Sequence, residues 1–258
     1  MERIILIETS TALCSAALAE DGKIVAYRES SAPKAHASLT AVFIQEMLQE
    51  RGIKIADCDA VCVSMGPGSY TGLRVGVSTA KGLCFGAGKP LLAIGTLDTL
   101  VAQAISDLTP SDKSDVSGDS LVISSETDDI SGDSLVISSE TDDISGDSLV
   151  ISSETEGRDE KSPTYKQITE TAPAIIDENS FAEYLEQGQC LFIGDGAGKC
   201  ADVIKHPNAH FVQCCPNASS MLSPALAAYR AGDFKDVAYF EPFYLKEFVA
   251  TVSKKKLF

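Results

Sequence analysis

The sequence predicts an α/β protein whose mixed β-sheet carries helices on its faces. Three observations predict this class: a hairpin at the start of the chain, alternating strand and helix patterns after it, and a glycine-rich turn that joins a short buried strand to a helix. The 258 residues are enough for one large domain or for two lobes of about 100 residues each. No apolar run reaches the length of a membrane span, so we expect no membrane association.

The first hundred residues carry the clearest patterns. Asp21 and Gly22 form a typical hairpin turn, and Thr96 is placed to begin a helix that runs to about Ser106. Apolar residues at helical spacing predict another helix over 38–51. Apolar and β-branched segments predict five strands, at 3–8, 14–19, 23–29, 60–64 and 90–94. These elements make residues 1–106 the predicted N-terminal lobe.

The helix that follows the glycine turn is nearly bare of large side chains on one face. Small residues recur there every four positions, at Gly72, Gly76, Ala80 and Cys84. Each interior glycine costs a helix about 1 kcal/mol relative to alanine, so a close contact must compensate for it. The sequence leaves two interpretations open: packing within the chain, or docking of a partner protein. The second predicts an interface made of Gly72, Arg74, Gly76, Ala80, Lys81 and Cys84.

A tandem repeat interrupts the chain. A unit of 14 residues occupies 117–130, recurs unchanged at 131–144, and departs in its third copy, 145–157, only after Thr155. Residues 112–160 hold 15 of the 37 acidic residues and 2 of the 21 basic ones, which leaves 22 against 19 in the remainder. We expect an insert over 107–163 that is largely disordered, with short strands such as 121–123. Calcium binding is a weaker alternative, because no loop of oxygen ligands repeats.

The residues after the insert, 164–258, are predicted to form a C-terminal lobe and tail. Patterns there predict helices over 180–187, 198–204 and 223–230, and strands over 190–193 and 210–212. The aromatic run within 236–248 favours packing over a binding platform. Eight scattered cysteines without a Cys-x-x-Cys pair indicate reduced thiols in the cytosol. The three histidines lack the spacing of a metal site.

Three turns are rich in small and hydroxyl residues and can present main-chain N–H groups to a phosphate. Neither glycine turn has the register of a P-loop or of the dinucleotide-binding motif. The sequence therefore predicts weak nucleotide binding, by residues from the three turns: Glu8, Thr9, Ser10, Gly66, Gly68, Gly194 and Gly196.

The order of these turns resembles the phosphate and adenosine elements of the actin-like ATPase superfamily, whose two lobes are ribonuclease-H-like. Within that superfamily the chain resembles the TsaB (YeaZ) family. The resemblance rests on ILIETST at 5–11, GPGSYTGLRVG at 66–76, AKG at 80–82, residues 90–97, FIGDGA at 192–197 and FEPFYL at 240–245. It covers nearly all of 1–106 and, more loosely, 170–248.

The resemblance implies a non-catalytic, cytoplasmic subunit of the complex that forms N6-threonylcarbamoyladenosine at position 37 of tRNAs reading A-starting codons. The implied partners are a catalytic paralogue like TsaD, joined through helices built on the small-residue helix, and an ATPase like TsaE. Contact with tRNA is expected through the complex, ATP or ADP at a composite interface, and a homodimer when the partner is absent. The paralogue holds a metal with two histidines four residues apart, whereas this chain has His36 and Thr40. No metal and no catalytic residue are expected here.

Two other functions remain open from the sequence. A stand-alone ATPase or kinase would need a carboxylate near the phosphates, and Glu8 and Asp195 are the candidates. Glu8 stands where related ATPases usually place an aspartate, and its longer side chain disfavours hydrolysis. A peptidase would need Ser69 as the nucleophile and His36 as the base, although Ser69 is more simply a turn residue. The family's usual opening strands of the second lobe are missing. Either strands of the repeat, such as 121–123, take their place or the second lobe is incomplete, and we expect a weak second lobe.

Overall fold

The structure is a computed structural model that describes residues 1–108, 134–139, 145–153, 165–167, 172–186 and 190–244. It contains two sheets, as the α/β class predicts. The first sheet is built from strands β1 (Arg3–Glu8), β2 (Cys14–Glu20), β3 (Lys23–Ser30), β4 (Ala60–Gly66) and β5 (Leu91–Gly95).

The first sheet has the order β3-β2-β1-β4-β5. Its hairpins β1–β2 and β2–β3 are antiparallel, whereas β4 and β5 run parallel to β1. Asp21 and Gly22 both have positive φ, of 47° and 77°, as a tight hairpin turn requires. β1 is buried on both faces because it lies at the centre of the sheet. All five predicted strands are confirmed.

Three helices accompany this sheet: α1 (Ala35–Glu50), α2 (Tyr70–Ala87) and α3 (Thr96–Leu108). A short 3-10 turn, Ile55–Asp57, precedes β4. α1 begins three residues before the predicted start, and α3 begins at Thr96 as predicted. Apolar side chains of α1 and α2, including Phe43, Ile44, Met47 and Val77, pack with Ile5 and Ile7 of β1 into one core.

The second sheet has the path β11-β10-β6-β7-β8, with β9 paired to β7. Its strands are β6 (Ser134–Ser139), β7 (Ser145–Ser153), β8 (Tyr165–Gln167), β9 (Ala172–Ile175), β10 (Cys190–Gly194) and β11 (Ala209–Gln213). The short helices α4 (Ala182–Leu185) and α5 (Ala197–Val203) accompany it. The helix predicted over 180–187 is therefore shorter, and the strands predicted at 190–193 and 210–212 are confirmed.

Two strands of this sheet come from the repeat. β6 pairs in parallel with β10 and antiparallel with β7, and both strands contain the Leu-Val-Ile core of a repeat copy. The expectation for the insert is disorder with short strands, and these two segments are strands because β-branched residues favour a strand when a neighbour is available for pairing. The segment 121–123 and most of the insert lie outside the described residues.

The chain returns to the first sheet after β11. A 3-10 turn, Ala218–Met221, leads into α6 (Leu222–Ala231), and Ala218, Met221 and Ala225 pack against Ile4 and Leu6 of β1. The Ala218 N–H also donates a 2.9 Å hydrogen bond to Ser15 Oγ of β2. α6 ends at Gly232, as predicted. Residues 218–231 thus pack with the N-terminal sheet, whereas the sequence grouped them with a C-terminal lobe over 164–258.

Candidate functional site

Two of the predicted phosphate turns lie directly against each other. The turn after β1 contributes Glu8, Thr9 and Ser10, all of which are buried. The Ser69 N–H, at the start of α2, donates a 2.6 Å hydrogen bond to the main-chain oxygen of Ser10. A Cβ atom added at Gly68 would overlap that same oxygen. The structure therefore brings residues of two predicted nucleotide-binding turns together, and the two turns pack directly against each other.

The small-residue face of α2 packs on this same turn. A Cβ atom at Gly72 would overlap the main-chain oxygen of Thr9, and one at Gly76 would overlap Thr9 Oγ1. Ala80 and Cys84 continue this buried face along the helix. The compensating contact of Gly72 and Gly76 is thus within the chain, as the first of the two interpretations predicts. Gly72, Gly76, Ala80 and Cys84, which the second interpretation assigns to a partner interface, are buried in the chain itself.

The opposite face of α2 is exposed and also has small residues. It consists of Arg74, Ser78, Gly82, Phe85 and Gly86. Phe85 is 87% exposed, which is unusual for a phenylalanine in a helix. A Cβ atom at Gly82 or Gly86 would meet nothing within 4 Å, so these two glycines satisfy no close contact in the chain. We call these five residues the exposed face of α2.

A segment near the end of the chain, residues 235–244, runs beside α2, and we call it the strap. Lys81 Nζ of α2 donates two 3.0 Å hydrogen bonds to it, to the main-chain oxygens of Ala238 and Phe240. The strap begins at Lys235, whose N–H bonds Leu91 O, and ends at Tyr244, whose ring lies 4.8 Å from that of Tyr70. The strap therefore runs antiparallel to α2.

A cavity of about 670 Å³ opens between α2 and the strap, lined by Lys81, Gly82, Phe85, Asp236, Val237 and Ala238. Its rim is continuous with the exposed face of α2 through Gly82 and Phe85. Within the aromatic run, Phe240 and Val237 pack against the core, as predicted, whereas Tyr239 is 84% and Phe243 is 43% exposed. Sequence reasoning missed Phe85, because the residues that follow Gly72 and Gly76 in the same way, Leu73 and Val77, are buried and the pattern gives no signal that Phe85 is exposed.

Glu8 is a buried carboxyl without a basic partner. Its Oε1 accepts a 2.7 Å hydrogen bond from the Ser10 N–H, but its Oε2 has no hydrogen-bond partner. The hydroxyls of Thr9 and Ser10 are also buried without a partner. Burial raises the pKa of the Glu8 carboxyl, and hydrogen bonds from Ser10, Ser64 and Thr9 offset part of that rise.

The third glycine turn follows β10. Gly194 and Gly196 are buried, and Asp195 is nearly so. The Gln213 side chain lies across this turn: its Oε1 accepts a 2.6 Å hydrogen bond from the Gly198 N–H, and its Nε2 donates one of 2.6 Å to Asp195 O. One N–H that a phosphate could use is therefore already bonded. Gln213 escaped sequence reasoning because a glutamine at the end of a strand gives no such signal.

The residues of the peptidase alternative have other partners. Ser69 begins α2 as its N-cap, and its Oγ accepts a 3.2 Å hydrogen bond from the Gly72 N–H. His36 Nε2 lies 2.9 Å from the main-chain oxygen of Thr11. Thr40 donates to His36 O at 2.6 Å and lies 3.3 Å from Cys14 Sγ. Nothing in this arrangement aligns Ser69 with His36.

Metal and membrane features were also sought over the described ranges. No three His, Cys, Asp or Glu side chains among the described residues are grouped closely enough to hold a metal ion. No helix of the described chain has the length and apolar character needed to cross a membrane.

The chain is similar in sequence to two kinds of protein. It is 37% identical to the tRNA threonylcarbamoyladenosine biosynthesis protein TsaB of Escherichia coli K12 over 102 aligned residues. These residues make up 40% of this chain and 44% of that protein. The Haemophilus influenzae protein of the same name is 38% identical over 105 residues, again 44% of its length. The tRNA N6-adenosine threonylcarbamoyltransferase of Erythrobacter litoralis is 43% identical over 67 residues, 26% of this chain and 20% of that protein. The chain thus spans less than half the length of these relatives.

The fold agrees with a solved structure. YeaZ from Pseudomonas aeruginosa superposes with a TM-score of 0.73 at 20% identity, over 95% of this chain and all of that one. This likeness shows that the chain has the α/β fold of that YeaZ structure. The sequence model of the family described as "TsaD: tRNA N6-adenosine threonylcarbamoyltransferase" matches residues 29–252. The chain therefore belongs to the TsaD family, as a member of its TsaB (YeaZ) group.

Proposed function

We propose that this chain is a non-catalytic subunit of the complex that forms N6-threonylcarbamoyladenosine at position 37 of tRNAs reading A-starting codons. Its role is to dock onto, and support, a catalytic paralogue like TsaD. Membership of the TsaB group supports this role, and the biosynthetic names of its relatives supply the pathway. Because less than half of each relative is aligned, the activity and the partners are part of the proposal.

The observation that carries the proposal is the exposed face of α2. An interior glycine lowers helix stability by about 1 kcal/mol, and Gly82 and Gly86 have no contact in the chain that offsets this cost. Both permit another helix to approach the backbone of α2 closely. Phe85 beside them exposes most of its ring, and a buried aromatic anchor is typical of an interface centre. The exposed face of α2 is therefore the proposed docking surface.

The cavity extends this docking surface toward the strap. Phe85 and Gly82 belong to both, so a partner that covers α2 also reaches Val237 and Ala238. Arg74, one of the predicted interface residues, is exposed on α2, with its guanidinium 5.4 Å from the centre of the Tyr70 ring. Lys81, the other predicted interface residue that stays accessible, has its Nζ occupied by the strap.

The buried turns support the non-catalytic part of the proposal. Glu8, the carboxylate that an ATPase would need, has no exposed surface. Ser69, the peptidase candidate, is committed to capping α2. A TsaE-like ATPase, tRNA bound through the complex, ATP or ADP at a composite interface, and pairing of two copies in the absence of the paralogue complete the proposal. The pairing of two copies would use the exposed face of α2, because a face that no partner covers can pair with the same face of a second copy.

The test measures modified nucleosides in cells of the source organism. The protein is depleted, and tRNA hydrolysates are analysed for N6-threonylcarbamoyladenosine by mass spectrometry. Depletion is expected to remove the nucleoside, and wild type is expected to restore it. Gly82→Leu, which fills the docking surface without touching the core, should fail to restore it. Ala227→Leu, at an exposed position of α6, is the matched control and should restore it. Normal nucleoside levels after depletion would contradict the proposal.

A further inference from the structure

The turn of residues 8–11 holds an unusual set of buried oxygen atoms. Glu8 Oε2, Thr9 Oγ1 and Ser10 Oγ all lack a hydrogen-bond partner, and all belong to consecutive residues at the end of β1. Buried polar atoms of folded proteins nearly always have a partner, so three neighbouring exceptions require an explanation. An ionised carboxylate would place a full charge in a site that has no exposed surface, and the hydrogen bonds from Ser10, Ser64 and Thr9 offset only part of that cost.

The charged and titratable groups that face Glu8 do not neutralise it. β2 contributes the Cys14 thiol and β4 the Cys62 thiol, and an ionised Glu8 would make both harder to deprotonate. α2 contributes Gly72 and Gly76, which have no side chain. α1 contributes His36, whose ring nitrogen is bonded to Thr11 O. Among the described residues, no basic side chain reaches the carboxyl, so a negative charge at this position would stay uncompensated.

The turn is also the surface on which α2 rests. Thr9 touches Gly72 through its main-chain oxygen and Gly76 through its hydroxyl, and Ser10 O receives the Ser69 N–H. Because the turn and α2 touch without a gap, a rearrangement of the turn that exposed Glu8 to water would separate the turn from the helix.

We propose that the packing of α2 on the turn of residues 8–11 depends on a proton. Glu8 carries this proton in the folded protein, and its loss weakens the contact between the turn and the helix. A proton on Oε2 can be donated to a neighbouring hydroxyl, and it removes the charge that an ionised carboxyl would place in this buried site without a basic partner. This inference concerns the folding of the chain and holds whatever partner the exposed face of α2 binds.

The direction of the pH effect follows from linkage. Burial raises the pKa of Glu8 in the folded chain above its ordinary value near 4.5, so the folded state keeps a proton that the unfolded state has released. The stabilisation is complete below the ordinary pKa of a glutamate and is lost as pH rises through the folded pKa. Relative to a variant that cannot ionise, the folding equilibrium constant should fall by up to tenfold per pH unit over that interval.

The experiment compares the full wild-type chain with Glu8→Gln, whose amide keeps the shape and an N–H donor. Urea unfolding from about pH 5 upward should show a wild-type stability that declines relative to the variant. Hydrogen exchange, referred to the variant at each pH, should show protection falling in α2 before it falls in α6. Parallel stability curves would overturn the proposal, as would equal loss of protection in both helices. If the variant does not fold, the 13C chemical shift of the Glu8 carboxyl is followed against pH in the wild type. A midpoint above 4.5 is expected, and a midpoint near 4.5 would overturn the proposal.

Discussion

The main-chain N–H of Ser69 lies 2.6 Å from the main-chain oxygen of Ser10, so that the turn that starts α2 is hydrogen-bonded to the turn that ends β1. The sequence predicts that both turns contact a phosphate, and in the structure the two turns bind each other. The contact fixes one face of α2 on the sheet and leaves the other face to solvent. The two faces, each with glycines, therefore have different roles that substitutions can separate.

Alanine at Gly76 and at Gly82 should have opposite effects on the free energy of unfolding. At Gly76 the new Cβ overlaps Thr9 Oγ1, and overpacking of this kind costs roughly 1–3 kcal/mol. At Gly82 the Cβ meets nothing, so the higher helix propensity of alanine should stabilise by about 1 kcal/mol. Urea unfolding measures both. Destabilisation by both substitutions would show that Gly82 has a contact in the folded chain after all.

Ser69→Ala should remove the N-cap of α2. Loss of the hydrogen bond from the Gly72 N–H should lower the free energy of unfolding by about 1 kcal/mol. Ser78→Ala, at an exposed interior position of the same helix, is the control and should be neutral or slightly stabilising. Thermal unfolding compares the two variants. Labelling of Ser69 by a serine-directed fluorophosphonate would instead favour the peptidase alternative.

The glycine pattern shows what the sequence could and could not predict about this site. It correctly located a helix that needs a close contact, because the helix cost of Gly76, Gly82 and Gly86 can be read from composition. It could not say which neighbour supplies that contact. Thr9 lies more than sixty residues away in the chain, and its approach to Gly72 and Gly76 depends on the parallel pairing of β1 with β4. The residues predicted to face a partner, Gly72, Gly76, Ala80 and Cys84, are therefore covered within the chain itself.

The first sheet was predictable because each of its strands has its own local signal, such as the Asp21 and Gly22 turn. The strap and the return of α6 were not, since both depend on long-range contacts. The Ser15 hydroxyl that receives the Ala218 N–H and the Lys81 ammonium that holds the strap give no local pattern. β6 depends on pairing with β10, which lies far along the chain, and β7 pairs in turn with β6, whereas the acidic composition of the insert favours disorder.

Lys81→Met should release the strap from α2. The methionine keeps the aliphatic stem but loses both hydrogen bonds to Ala238 O and Phe240 O, with an expected cost of about 1 kcal/mol because the site is partly exposed. Limited proteolysis should cut faster within 236–241 than in the wild type. Lys205→Met, which loses one hydrogen bond within α5, is the control. Unchanged cleavage of the strap in Lys81→Met would show that other contacts hold it.

The isolated chain should neither be stabilised by ATP nor hydrolyse it. A ligand that binds the folded state raises the unfolding temperature as its concentration exceeds the dissociation constant, and the two turns nearest Glu8 are already bonded to each other. A thermal-shift titration with ATP and ADP up to millimolar concentration tests this. A saturable shift that Glu8→Gln abolishes would favour the stand-alone ATPase.

Phe85→Ala should weaken docking without lowering stability. The ring is 87% exposed in the isolated chain, so its removal costs little folding energy, whereas an aromatic interface anchor contributes roughly 2 kcal/mol or more to binding. The expected loss is about thirtyfold in affinity for the paralogue. Val203→Ala, at an exposed apolar position of α5, should leave the affinity unchanged. Similar affinity in both variants would move the interface away from Phe85.

The most direct test of the account is the affinity of the purified chain for its TsaD-like paralogue, measured by titration calorimetry with Gly82→Leu and Ala227→Leu beside the wild type. The account predicts that Gly82→Leu unfolds at the wild-type temperature or above it and binds at least about 100-fold more weakly, while Ala227→Leu binds normally. Wild-type affinity in Gly82→Leu would contradict docking through the exposed face of α2.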